Sequence, residues 1–260
     1  GKINIVIGVP RLYELLSKGI MDIIKRSFVT RALFSMAKAI GSKGFSRMLF
    51  GKVHKKFGGH IDYLVSGGAA LPPDIGSIFK TLGFTVLEGY GMTETAPMIS
   101  FTRPWNVQVG YAGEPVPNIE VRIAENGEVC VRGENVMQGY YNRPEETADI
   151  LRDGWLHTGD TGELSPTKGL KLTGRIKEII VTPNGKNINP EELEQAVLHH
   201  TALIKEIGIF LKDNVLQCVI VPELSELRDK SVENMETVLR EEIAKFNQTV
   251  ATYKRIKNIH

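Results

Sequence analysis

The chain has 260 residues, 42% of them hydrophobic and 24% charged, and carries a net charge of +2 at pH 7. That is ordinary for a globular protein and enough for one large domain or two of moderate size. No stretch qualifies as a spanning helix: the best apolar run, Ile3 to Val9, is broken by Asn4 and Gly8 and falls far short of the roughly 18 residues needed to cross a bilayer.

The N-terminal GKINIVIGVP begins without Met and lacks the charged, apolar, small-residue order of a signal peptide. It reads as a strand entered in mid-course. From Arg11 to Ile40 apolar residues recur at helical spacing: Leu12, Leu15, Leu16, Ile20, Ile23 and Ile24, then Leu33, Met36, Ala37 and Ile40. Residues 41–60 are basic and dotted with glycine, which predicts a loop with a short helix. Residues 11–60 hold eleven Lys or Arg against only Glu14 and Asp22, a local charge of +9 that leaves −7 for the rest of the chain. Two roles are open for this region: the solvated faces of surface helices, or a surface that attracts anionic lipid or a polyanionic ligand. Nucleic acid is disfavoured, because no aromatic residues are interleaved with the basic ones in a stacking pattern.

IDYLV at 61–65 is a short apolar strand that runs into SGGAALPPD, where Pro72, Pro73 and Asp74 mark a helix start and Gly83 its end. FTVLE at 84–88 is a second strand, and EGYGMTETAP at 88–97 follows it. Strand, glycine turn, helix, strand, glycine turn is the rhythm of a parallel α/β sheet, whose ligands sit at the carboxyl ends of the strands. Residues 98–172 change to short alternating strands with Gly and Pro turns, a β-rich subdomain. Near Gly174 a small α+β domain begins. There Asn189 is placed as an N-cap, Pro190 at the first helical position and Glu192 in the capping-box place. IGIFLKDNVLQCVIVPE predicts a hairpin turning at Asp213-Asn214, and Met235, Val238, Leu239, Ile243, Phe246, Val250 and Tyr253 predict one helical stripe. Cys130 and Cys218 lie in strand-like runs with no CxxC spacing and no histidine nearby in sequence. They read as buried thiols of an intracellular protein rather than as a metal site or catalytic groups.

Tight glycine turns at strand ends let backbone N–H groups approach an anion, because no Cβ intervenes. Gly67-Gly68 and Gly89/Gly91 supply two such turns. Thr93 and Thr95 can donate to phosphate oxygens, Glu94 is a hard oxygen ligand suited to Mg²⁺, and Tyr90 offers a flat face to a base. The alternative is a structural turn with a satisfied Glu94. Neither a complete GxGxxG, nor a GxxxxGK[ST] loop, nor GxSxG occurs. Three further segments bear on the choice: WLHTGD at 155–160, whose Asp160 can accept two hydrogen bonds from ribose hydroxyls; GRIKEIIVTPNGKNINPEELE at 174–194, with Arg175 and Lys177 at the domain boundary; and GEVCVRGENVMQGYYNRP at 127–144. Singly, Asp160 could be a turn former, Arg175 a surface cation, and Tyr140 and Tyr141 packing residues.

Together and in this order, SGGAALP, GYGMTET, GEVCVRGENVMQGYYNRP, WLHTGD and GRIKEIIVTPNGKNINPEELE resemble the adenylate-forming superfamily of acyl-CoA synthetases, peptide-synthetase adenylation domains and luciferases. GVPRLYELL and DGWLHTGD look most like its fatty acyl-CoA ligase branch. The resemblance implies an α/β fold: residues 1–174 as the later part of a large parallel-sheet AMP-binding domain, β-rich over 98–172, and 175–260 as a small mobile α+β domain. It implies that Gly67, Gly68 and Ala69 border the adenine and the acyl tunnel, that Tyr90 stacks on the adenine within the nucleotide-binding run Glu88, Gly89, Tyr90 and Gly91, that Thr93 binds the AMP phosphate, and that Glu94 holds Mg²⁺. Asp160 and Arg175 would bind the ribose hydroxyls, Lys177 would be a hinge, and the loop at Gly185 would line the pantetheine channel of coenzyme A.

The implied reaction is ATP-dependent activation of a medium- or long-chain fatty acid as acyl-adenylate, followed by transfer to CoA, in the cytoplasm or at the periphery of an anionic membrane contacted through residues 11–60. Members of the superfamily also carry an upstream Ser/Thr/Gly-rich phosphate loop and a lysine near the C-terminus. No residue here matches the first, and the chain stops at YKRIKNIH, where Lys254, Arg255 and Lys257 lack the glycine-lysine context of the second. The expectation is a chain trimmed at both ends and inactive alone. Two alternatives are an acyl-AMP ligase that feeds an acyl carrier protein and a non-catalytic truncation that binds a membrane or partner.

Overall fold

A computed structural model describes residues 2–227 and 232–260. The chain divides into two compact units, residues 1–158 with 162–172, and residues 159–161 with 173–260.

In the first unit, strand β1 (Ile5–Gly8) leads into helix α1 (Pro10–Lys25). Pro10 opens α1 at a position where a missing N–H costs nothing. Helix α2 (Phe28–Ile40) ends at Gly41 in the left-handed conformation, and two short helices, α3 (Lys43–Leu49) and α4 (Gly51–Lys56), occupy the segment whose composition predicts a loop with one helix. Strand β2 (Tyr63–Ser66), helix α5 (Pro73–Thr81) and strand β3 (Thr85–Gly91) follow. Strands β1, β2 and β3 are parallel neighbours, and β4 (Met98–Phe101) and β5 (Glu114–Pro115) extend the sheet in antiparallel fashion. Tyr13 anchors α1 to this sheet: its ring is fully buried and its hydroxyl lies 2.8 Å from the Val65 carbonyl oxygen and 3.1 Å from that of Val6. Leu64, Phe79, Leu82 and Phe84 close the core around it.

Gly89–Gly91 is strand rather than turn, because β4 pairs with it through Gly89–Phe101, Tyr90–Ser100 and Gly91–Met98. The reversal comes afterwards, where the Met92 N–H donates to the Pro97 carbonyl at 2.8 Å.

A second sheet has the order β10-β9-β7-β6: strand β6 (Ile119–Ile123), strand β7 (Glu128–Gly133), strand β9 (Trp155–Ser165) and strand β10 (Gly169–Arg175). Between β7 and β9 lie helix α6 (Pro144–Ile150) and strand β8 (Leu151–Arg152), which pairs with β9. Val129, Val131, Leu156 and Leu170 are fully buried on one face of this sheet. The chain enters the second unit within β9, at 159–161, and within β10, after Leu172.

The second unit holds the pair β11 (Ile180–Val181) and β12 (Asn187–Ile188), helix α7 (Pro190–His200), strands β13 (Ile204–Lys212) and β14 (Val215–Pro222), helix α8 (Val232–Asn247) and strand β15 (Ile256–Ile259). Asn189 caps α7 by accepting from the Glu191 N–H at 3.0 Å, while Glu192 turns to Lys254 at 3.4 Å rather than back to the cap. Strands β13 and β14 are antiparallel, and β15 joins β14 in parallel. Helix α8 stops at Asn247, so Val250 and Tyr253 lie outside it. Val250 still packs on the core of Leu193, Val197, Leu239, Ile243 and Phe246, which is why the apolar periodicity runs past the helix end.

Candidate functional site

Ser66 ends parallel strand β2, and Gly67, Gly68 and Ala69 follow it. Gly68 has φ +86°, a conformation that L side chains rarely adopt. A Cβ on Gly67 would meet only the Gly89 carbonyl oxygen, 3.8 Å away, so the two glycine segments face each other through backbone. Among the described residues the Ser66 hydroxyl is buried without a hydrogen-bond partner, a polar group aimed nowhere within the protein at the carboxyl end of the strand. Gly91 serves a different need from the anion approach expected of it. A Cβ there would fall 1.8 Å from the Pro97 carbonyl oxygen, so the tight reversal of the chain itself requires the glycine.

Thr93–Thr95 form a single short helical turn at the end of β3. Thr95 is fully buried, and its hydroxyl is spent on the turn, 2.7 Å from the Pro97 carbonyl oxygen. The expectation that both threonines face phosphate is therefore corrected: Thr93 is exposed and Thr95 is structural. Glu94 is half-buried, and its Oε1 accepts from the Tyr140 hydroxyl at 2.6 Å. That bond, ahead of burial, pushes the Tyr140 phenol up to about 12 and keeps it a donor. The backbone of the turn is held by the same distant segment. Met137 N–H donates to the Glu94 carbonyl at 2.8 Å, and the Asn135 amide lies 2.8 Å from the Thr95 and Met98 carbonyls.

Tyr90 packs with Ile99 and Ala112 and is 8% exposed, so a base would reach no more than a margin of its ring. Glu88 faces the protein instead: its carboxylate accepts from the Gly110 and Leu71 amides, tying the end of the 66–71 loop to a second loop. Burial outweighs those bonds and pushes its carboxyl up to about 7.

The second unit holds the remaining residues. Asp160 and Arg175 form an ion pair at 3.2 Å, with the carboxylate largely buried and the guanidinium exposed. Lys177 is exposed in the short turn Ile176–Glu178. Gly185, at φ +69°, sits at the exposed tip of a loop closed by bonds between Thr182 and Lys186.

Sequence reasoning misses the roles of Asn135, Met137 and Tyr140, although they lie within the GEVCVRGENVMQGYYNRP segment that carries part of the resemblance. It also separates Cys130 from any histidine. The fold brings His157 Nδ1 to 3.6 Å from Cys130 Sγ and 2.7 Å from Glu128 Oε2. Burial, followed by the Glu128 charge, raises the Cys130 thiol pKa, and burial pushes that of Cys218 up to about 11.

The exposed turn carrying Thr93 and Glu94 offers a hydroxyl and a carboxylate at the end of a parallel strand, and an aspartate–arginine pair lies in the other unit. Residues 1–141 match the family model described as AMP-binding enzyme, and residues 177–259 match the AMP-binding enzyme C-terminal domain. The chain belongs to the AMP-binding enzyme family. Long-chain-fatty-acid–CoA ligase FadD15 of Mycobacterium bovis is 37% identical over 165 residues, covering 64% of this chain and 28% of the relative. Long-chain-fatty-acid–CoA ligase 2 of Schizosaccharomyces pombe is 31% identical over 260 residues, covering 89% and 38%. The solved structure of O-succinylbenzoate coenzyme A synthetase from Bacillus subtilis, in complex with AMP, matches with a TM-score of 0.62 and 26% identity, covering 82% of this chain and 45% of that one. This member of the family thus has the α/β architecture of adenylate-forming enzymes and spans between a quarter and two-fifths of the length of these two curated relatives.

Proposed function

We propose that the protein to which this chain belongs is an ATP-dependent, AMP-forming fatty acid–CoA ligase acting on a medium- or long-chain acid. A carboxylate oxygen attacks the α-phosphorus of ATP and pyrophosphate leaves; the thiol of CoA then attacks the acyl carbonyl, and AMP leaves with release of a proton. The observation that carries this reading is the Thr93–Glu94 turn, whose hydroxyl is exposed and whose carboxylate is aimed by Tyr140. The ligase names borne by relatives such as the M. bovis and S. pombe proteins support the choice of acid and acceptor.

Thr93 donates to the phosphate of the adenylate, and the Gly67-Gly68 backbone admits the nucleotide beside it. Glu94 fits Mg²⁺ as a hard oxygen donor: Tyr140 fixes Oε1, and Oε2 is the oxygen left to face a cation. Bound there, the ion would shield charge on the departing pyrophosphate. Asp160 takes the ribose hydroxyls and Arg175 orients it through their ion pair. Lys177, in its exposed turn, is the position about which the small domain rotates between the two half-reactions, and the loop at Gly185 lines the path of pantetheine.

Calorimetric titration of AMP into the chain and into Asp160→Ala tests the nucleotide half. Removing a charged partner should weaken binding about tenfold or more. Equal affinity in the two proteins would remove Asp160 from the site. Pyrophosphate release by the whole protein, dependent on fatty acid and completed by CoA rather than by a holo-carrier protein, tests the other half.

A second reading concerns place. Phe28, Val29, Met36 and Ile40 are exposed on α2 beside Arg31 and Lys38, a mixture of cations and bulky apolar groups suited to an anionic lipid surface. We propose that the ligase works in the cytoplasm at such a surface. Co-sedimentation with phosphatidylserine vesicles should fall as salt rises and be lost in Phe28→Asp/Met36→Asp; equal binding to phosphatidylcholine vesicles at all salt concentrations would contradict it.

A further inference from the structure

Glu128 and Cys130 stand two residues apart on β7 and therefore project from the same face of the sheet. His157 comes from β9, the next strand. One donor atom from each lies within 4.8 Å of the other two. Val129, between the first two, points to the opposite face and its apolar core. The cluster lies on the other side of the sheet from that core, and nothing in the proposed ligase reaction uses it.

Two chemistries need three such groups. A thiol nucleophile with a histidine base needs the carboxylate on one ring nitrogen and the thiol on the other. Here Nδ1 faces both, 2.7 Å from Glu128 Oε2 and 3.6 Å from Cys130 Sγ. The imidazole cannot relay a proton between them, so the nucleophile geometry fails. Convergence of sulfur, nitrogen and oxygen on one point is instead the donor set of a borderline-soft cation.

We infer that Glu128, Cys130 and His157 form a Zn²⁺ site, with three protein ligands and a fourth position for water. Bonds of about 2.0–2.3 Å in tetrahedral geometry place ligand atoms roughly 3.3–3.6 Å apart. The sulfur–nitrogen separation of 3.6 Å already has that spacing. The nitrogen–oxygen pair at 2.7 Å shares a proton, and opens by at least about 0.6 Å when the ion displaces it. The Cys130 thiol proton also leaves to solvent, so the thiolate, the Glu128 carboxylate and neutral His157 together balance the ion's charge. The His157 side chain is 15% exposed and that of Glu128 7%, which gives the ion an edge by which to enter. Such an ion would clamp β7 to β9.

Co²⁺ reports such a site directly, because thiolate ligation and tetrahedral geometry give a charge-transfer band and intense visible bands. Titration of the metal-free chain should give one equivalent of both, displaced by Zn²⁺. Cys130→Ser and His157→Asn should each weaken binding at least about tenfold, and Cys218→Ser should leave it unchanged. Native mass spectrometry of the unmutated chain should retain one Zn²⁺, which guards against a variant that fails to fold. Absence of the bands, or bands that survive both substitutions, would overturn the proposal.

Discussion

Glu88 shows how one buried carboxyl couples the glycine loops to pH. Burial raises its pKa from 4.5 to about 7 despite amide donors from Gly110 and Leu71. The folded state thus binds a proton more tightly than the unfolded one, so this group's contribution to stability is fully present below about pH 4.5 and is lost as pH rises through about 7. The shift corresponds to a swing on the order of 3 kcal/mol. Glu88→Gln keeps one carbonyl acceptor and carries no charge to desolvate. Urea denaturation between pH 5 and pH 8 should give a flatter stability profile than the parent's, with the variant the more stable of the two at pH 8. An unchanged slope would mean that another group is responsible. Identity of residue type is not enough to assign such roles. Thr93 and Thr95 are the same residue two positions apart, yet one is exposed and the other fully buried with its hydroxyl turned into the fold. Sequence could name both as phosphate donors, and only the turn separates them.

At the scale of elements, local chemistry made some boundaries readable and long-range pairing hid others. Asp213 and Asn214 have φ of 52° and 60°, the mirror-image turn that matches the twist of β13 and β14, and Asn tolerates that conformation better than branched residues. Asn214→Val should therefore cost roughly 1–2 kcal/mol, whereas Asn214→Gly should be neutral or mildly stabilising. Chemical denaturation of both variants checks the difference, and equal losses would show that side-chain contacts rather than backbone conformation matter there. Pro10, Pro73 and Pro190 likewise mark helix starts from within. Partners drawn from far along the chain were not readable. Gly89–Gly91 became strand because β4 returned to pair with it. Tyr140 reached Glu94 across 46 residues, and His157 reached Cys130 across 27. Strand register decides which side chains meet across a sheet, and a short sequence window carries no register.

At the scale of the molecule, each unit has its own core. Tyr13, Leu64, Phe79 and Leu82 in one cluster and Val129, Val131, Leu156 and Leu170 in another fill the first unit, while Leu193, Val197, Ile243 and Phe246 fill the second. Chains with separate cores need not unfold in a single step. The protein offers a natural way to watch them apart, because both tryptophans, Trp105 and Trp155, belong to the first unit. Intrinsic fluorescence follows that unit, and far-ultraviolet circular dichroism follows both. The two signals should give non-coincident transitions in urea. Leu193→Ala removes a buried side chain from the second core alone and should lower that unit's stability by about 2–5 kcal/mol. The dichroism transition should then shift or split while the fluorescence midpoint stays where it was. If the two probes coincide and move together in the variant, the cores unfold as one cooperative structure.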